Sequence, residues 1–131
     1  MTKILDASAL LAHLEKEAGY EIINDVLAEA AGSDEKLLMS AVNWGEVYYI
    51  VLRQYGKQKA SEVALLIDTF PIEIVPADRT LAKTAATYKA VHRLPYADAF
   101  AAALTKLRKG VLLTRDKEFR AVEHDIKIMW L

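Results

Sequence analysis

Val111-Leu112-Leu113-Thr114-Arg115-Asp116 reads as a short apolar strand that runs into a hydroxyl, a base and an acid. Gly110, just before it, stops an alanine-rich helical run that starts at Pro95, and the polar turn Lys117–Ala121 follows it. Three apolar residues in a row, with no polar alternation, suit a strand covered on both faces. Such strands belong to parallel sheets whose crossovers are helices.

The same grammar recurs outward from this stretch. Ile4-Leu5, ending at Asp6, and Leu37-Leu38-Met39 are further uninterrupted runs, and Ile72–Val75 and Ile126–Trp130 complete five strands. Helical periodicity covers residues 8–31 with a break near Gly19. There Glu21, Asp25 and Glu29 form a solvated stripe opposite Ile22, Ile23, Val26, Leu27 and Ala30. Further helices are predicted over Ala41–Tyr55, over Gln58–Phe70 and from Asp78 to about Val91. Strands separated by helices imply right-handed crossovers and a three-layer α/β/α domain around a five-stranded, mainly parallel sheet. Ile72-Glu73-Ile74 and Ile126-Lys127-Ile128 alternate, and Pro71 and Pro76 bracket the former, so both read as edge strands. Strand order 3-2-1-4-5 satisfies this, although the pattern alone does not order the central three. In that order the winding reverses between strands 1 and 4, and ligands of open α/β sheets bind at the carboxyl ends beside such a point. The residues there are Asp6 and Thr114-Arg115-Asp116.

The 131 residues fit one domain, 1–131, with a single sizeable core. Hydrophobic residues at 53% and charged residues at 27% exclude a disordered chain. The absence of cysteine excludes disulfides, thiolate zinc sites and a cysteine nucleophile. An acid at position 6 argues against a signal peptide, and no apolar run approaches the roughly 18 residues of a membrane span. A soluble cytoplasmic protein, not attached to a membrane, is expected. The net charge of −1 hides a segregation: residues 1–78 carry 6 Lys/Arg against 13 Asp/Glu, and residues 79–120 carry 10 against 3. A basic face built by the second half would attract polyanions.

Four acids stand out, each with a plain alternative. Asp6 and Asp116 each follow a strand and precede a helix or turn, so helix capping competes with metal ligation at both. Glu46 shares its helix with Asn43, Arg53 and Gln54, and periodicity alone puts these on one exposed polar stripe. Gly45 beside it costs about 1 kcal/mol in a helix interior, which close backbone approach would explain. Asp98 is the sole acid in Tyr96-Ala97-Asp98-Ala99-Phe100-Ala101-Ala102-Ala103-Leu104, a helix apolar nearly all round. A buried carboxylate there needs a partner, and its first-turn position supplies only roughly 0.3–1 kcal/mol, so metal binding leads. Four acids with no clustered His select Mg²⁺ or Mn²⁺ over zinc, as one or two ions, and suit phosphoryl chemistry on a nucleic acid. The bases Arg115, Lys117 and Arg120 are candidate phosphate contacts or simply a solvated turn. His13, His92 and His124 read as scattered structural or surface residues.

With these residues in place, the chain resembles the PIN-domain nucleases, specifically the VapC-type toxins of prokaryotic toxin–antitoxin pairs. The matching pieces are Ile4-Leu5-Asp6-Ala7-Ser8-Ala9-Leu10, Ser40 through Val47, Leu94-Pro95-Tyr96-Ala97-Asp98-Ala99-Phe100, and Leu113-Thr114-Arg115-Asp116. The resemblance implies an α/β/α PIN fold and Mg²⁺- or Mn²⁺-dependent endoribonuclease activity. It assigns metal ligation to Asp6, Glu46, Asp98 and Asp116, and makes Thr114 the hydroxyl that orients the acids, with Ser8 beside it. It further implies a homodimer, an RNA substrate and a small antitoxin that inserts a segment into the active-site groove.

Two rival enzymes fit less well. A haloacid-dehalogenase-type phosphatase wants a second Asp two residues after Asp6, where Ser8 stands. A receiver-like domain wants an acceptor Asp after strand 3, where Val75-Pro76-Ala77 stands. A non-catalytic RNA-binding domain keeping the fold is the alternative from another class.

Overall fold

Ile4 and Leu5 are neighbours and both fully buried, yet they enter two different apolar layers. The same split follows from strand alternation elsewhere: Leu38 and Leu112 join the layer of Ile4, while Leu37, Met39 and Leu113 join that of Leu5. A sheet with apolar side chains on both faces must be covered on both, as the uninterrupted runs imply.

The computed structural model describes all 131 residues. The elements run β1 (Lys3–Leu5), α1 (Ala7–Leu14), α2 (Tyr20–Ala31), β2 (Leu37–Ser40), α3 (Ala41–Tyr55), α4 (Lys57–Asp68) and β3 (Ile72–Val75). Then follow α5 (Arg79–His92), α6 (Tyr96–Arg108), β4 (Val111–Thr114), a 3₁₀ helix (Lys117–Val122) and β5 (Lys127–Trp130). The sheet order is 3-2-1-4-5, as the sequence predicts, and every pairing is parallel rather than most of them. Ile4 lies opposite Leu38 on one side and Leu112 on the other, so β1 is central. One face carries Leu81, Ala85 and Tyr88 of α5, the buried run Ala99–Leu104 of α6, and Phe119 and Val122. The other carries Leu10 of α1, Ile23 and Val26 of α2, Val47 of α3 and Ala60 of α4.

The predicted 8–31 segment breaks near Gly19, as expected, because the chain turns between Leu14 and Tyr20 and passes Gly19 at φ 94°. One detail of the helices differs from expectation. Ile22 is exposed, whereas Ile23, Val26, Leu27 and Ala30 form the buried stripe. No helix is long and apolar enough to cross a membrane.

Gly110 sets the register of the two central strands. Its neighbour Val111 donates to the carbonyl of Thr2 at 2.8 Å, and a Cβ on Gly110 would sit 2.4 Å from that oxygen and 2.5 Å from Ile4 Cδ1. Only glycine lets β4 enter beside β1 at this level, and this pairing brings Leu5 opposite Leu113. Asp6 and Thr114 are therefore the next residues along each strand, at the carboxyl edge of the sheet.

Candidate active site

Asp6 is 2% exposed and Thr114 is fully buried, so the centre of the site lies inside the fold. Thr114 Oγ1 donates to Asp6 Oδ2 at 2.5 Å, Ser8 Oγ lies 2.8 Å from Oδ1, and the Ala9 amide donates to Oδ1 at 2.8 Å. The two hydroxyls are themselves held from behind. The Asp116 amide donates to Thr114 Oγ1 at 2.9 Å and the Arg115 amide to Ser8 Oγ at 3.0 Å. Backbone N–H groups thus fix both hydroxyls as acceptors, which turns their hydrogens toward Asp6. Burial still dominates over these three donors and pushes the Asp6 carboxyl up to about 6.

Asp6 and Asp116 do cap. Asp6 caps α1 through the Ala9 amide, and Asp116 caps the 3₁₀ helix by accepting from the Glu118 amide at 2.9 Å. A carboxylate has about four acceptor positions, so one cap bond leaves capacity for other partners.

Asp98 sits in the first turn of α6, 7% exposed, within the buried run the sequence foretold. Burial raises its carboxyl to about 8, helped by repulsion and a shared hydrogen bond with Asp116 and by the charges of Asp6 and Glu46. Asp98 therefore feels the charge of each of the other three acids.

Glu46 and Asn43 correct the periodicity argument. Asn43 is fully buried, and its amide donates to the carbonyl of Ala97 at 2.9 Å, tying α3 to the residue before Asp98. Glu46 is half-buried; desolvation raises its carboxyl, the Asn43 amide lowers it, and Asp116 raises it again. Of the four residues of that stripe, Asn43 is buried and Glu46 half-buried, and only Arg53 and Gln54 are exposed. The close approach expected at Gly45 is absent: nothing lies within 4 Å of where its Cβ would be. Trp44 stacks on Tyr48, with ring centroids 5.4 Å apart, against the apolar layer around α1 and α4.

The three candidate bases differ in exposure. Arg115 is half-buried and reaches Glu17 at 3.5 Å, lining with Ser8 and Asp116 a cavity of about 340 Å³ at the site's margin. Lys117 and Arg120 are exposed on the 3₁₀ helix. The histidines are less scattered than the sequence implies: His92 and His124 approach to 5.6 Å, while His13 packs edge-on against Phe70.

The donor set is all oxygen, and repulsion within it raises proton affinity, the response a hard divalent cation would replace. By its chemistry the oxygen-only set suits Mg²⁺ or Mn²⁺ rather than zinc, and no group of three acidic or histidine side chains is spaced to hold an ion in this structure.

A profile of the PIN domain matches residues 3–125. No curated protein matches the chain in sequence. Among solved structures, the DNA-bound VapBC of Salmonella typhimurium superposes with a TM-score of 0.79 at 16% identity, over 98% of this chain and 97% of that one. VapBC2 of Rickettsia felis, bound to a DNA fragment from its promoter, gives 0.76 at 14%, over 100% and 99%. VapC20 of Mycobacterium tuberculosis, a Sarcin-Ricin loop cleaving toxin, gives 0.73 at 17%, over 92% and 95%. At such identities the likeness is one of fold, which agrees with the profile match and with the sheet order. The chain belongs to the PIN domain family.

Proposed function

We propose that this chain is a Mg²⁺- or Mn²⁺-dependent endoribonuclease and the toxin of a VapBC-like toxin–antitoxin pair, acting in the cytoplasm. The observation that carries this reading is buried Asp6 at the carboxyl edge of β1 and β4, both its oxygens held by the Ser8 and Thr114 hydroxyls, and the raised carboxyls of Asp98 and Glu46 beside Asp116 support it. Family membership and the toxin–antitoxin complexes among the structural relatives support it.

In this proposal the four acids hold one or two ions, some of them through water. When bound, such an ion acidifies an attacking water and stabilises charge on the phosphate and the leaving oxygen. The chain's own residues orient the centre. Ser8 and Thr114 fix both oxygens of Asp6, the Asp116 amide hangs on Thr114, and Asn43 joins Glu46 to the start of α6. Arg115, Lys117 and Arg120 hold flanking phosphates. Hydrolysis leaves 5′-phosphate and 3′-hydroxyl ends. The active form is a homodimer, and a small antitoxin blocks the groove by inserting a segment.

The test is RNA cleavage by purified protein with Mg²⁺ or Mn²⁺, with EDTA, and with Asp98→Asn. Cleavage that needs metal and disappears in the variant is expected; cleavage in EDTA or full activity in the variant overturns the proposal. RNA binding without cleavage would instead identify a non-catalytic RNA-binding domain. Growth arrest on expression that survives loss of Asp6 would separate toxicity from the nuclease.

A further inference from the structure

Two cavities that none of the four acids lines meet at the ion pair between Lys106 and Asp125. The larger, about 630 Å³, follows α5 from Arg79 through Lys83 to His92, with Thr80, Thr84 and Thr87 on its wall. The smaller, about 400 Å³, lies where β4 and β5 begin and adds Lys109 and Lys127.

Five exposed cations, Arg79, Lys83, Lys106, Lys109 and Lys127, line this track against one acid. That acid, Asp125, is already engaged by Lys106 at 2.8 Å and by the Tyr88 hydroxyl at 2.5 Å. The other four cations have no acidic partner within ion-pair distance, in a chain with as many acids as bases to within one. Unpaired like charges side by side are unfavourable unless an anion neutralises them. The 14 residues of α5 extend about 20 Å, far more than one phosphate group covers, so the anion that fits is extended. Threonine hydroxyls and lysines contact phosphodiester oxygens without regard to base sequence.

We propose that this track is a second RNA-binding surface, which holds the backbone of a strand at a distance from its scissile phosphate. Naming RNA as the strand rests on the ribonuclease reading; the polyanion chemistry rests on the track itself. It also gathers part of the basic excess of residues 79–120, and none of Arg115, Lys117 and Arg120 lines either cavity.

The test pairs Lys83→Glu with Lys109→Glu, both exposed and outside the acid cluster, in the full chain. Binding is followed by fluorescence anisotropy in an Asp98→Asn background across a KCl series. The probes are single-stranded RNAs of about 30 and about 5 nucleotides, the second serving the cleavage readout. Expected is an affinity loss of about tenfold for the long RNA and a salt slope shallower by about 1.4, from two lost phosphate contacts. Cleavage of the short RNA should not change when the pair is placed in the chain with Asp98 intact, and Lys83→Arg with Lys109→Arg should bind the long RNA normally. An unchanged long-RNA slope, or lost short-RNA cleavage, overturns the proposal. A parent that cleaves no RNA while the double variant still loses long-RNA affinity would sink the nuclease and leave the track. Metal-dependent cleavage with an unaltered slope would do the reverse.

Discussion

Thr114 Oγ1 donates a 2.5 Å hydrogen bond to Oδ2 of Asp6, joining the carboxyl ends of β4 and β1 across 108 residues of sequence. The same oxygen accepts from the Asp116 amide, so one hydroxyl positions two of the four acids. Thr114→Val keeps the shape and removes both bonds. Groups that orient metal-binding side chains typically alter affinity by about 10–100-fold when lost, and that is the expected weakening for Mn²⁺ by titration calorimetry. Thr114→Ser should restore it. A valine variant that binds Mn²⁺ like the parent would remove Thr114 from the positioning role.

Stability of the metal-free protein should fall as pH rises. Asp98 and Asp6 have folded values raised to about 8 and about 6, above the ordinary carboxylate range, so the folded state binds protons more tightly than the unfolded. Their contribution is fully present below about pH 4 and is lost as pH climbs through 6 and 8. Thermal melts in EDTA between these limits should show a declining Tm, with a shallower decline in Asp98→Asn. Mn²⁺ should raise the Tm most at the alkaline end, where the acids are ionised. A flat or rising Tm in EDTA would contradict the burial of these carboxylates.

Asn43 is the positioning residue most open to test on α3. Its amide bridges to the Ala97 carbonyl, and its Oδ1 is buried with no protein partner. Asn43→Ala leaves the Ala97 carbonyl without that donor, a loss of about 1–3 kcal/mol on denaturant unfolding. Because the same amide lowers Glu46, the apparent pKa of metal binding should move upward, which a purely structural defect would not cause.

What was legible in the sequence follows from which forces are local. Strand alternation, proline brackets and uninterrupted runs reported burial on each face, so the two edge strands and the positions of Asp6, Asp98 and Thr114 could be read from pattern, whereas the order of the central three strands could not. Glu46 and Asn43 could not. Their stripe on α3 looks polar because it faces other polar groups, and periodicity does not distinguish a wet face from a carboxylate cluster. The pairing of His92 with His124 likewise depends on where α5 crosses the approach to β5.

Gly45→Ala tests the open side of that stripe. With nothing within 4 Å of the new methyl, the substitution should stabilise the helix by about 1 kcal/mol. Chemical denaturation measures this directly. A stabilised variant that cleaves RNA poorly would mean that substrate approaches α3 closely at this position, whereas destabilisation would show that the helix is more crowded there than the structure describes.

Gly110→Ala should have the opposite sign, for reasons that reach the active site. Its methyl would meet the Thr2 carbonyl oxygen, a backbone atom already bonded to Val111, as well as Ile4 Cδ1. Ile4 can change rotamer; the carbonyl cannot withdraw without breaking the first rung between β1 and β4. Overpacking of this kind costs roughly 1–3 kcal/mol. The strain also falls on the register that sets Leu5 against Leu113 and so Asp6 beside Thr114. The variant should therefore lose stability on unfolding and also bind Mn²⁺ more weakly under conditions where it is fully folded. Lost stability with unchanged Mn²⁺ affinity would show that the far ends of the strands absorb the shift before it reaches the acids.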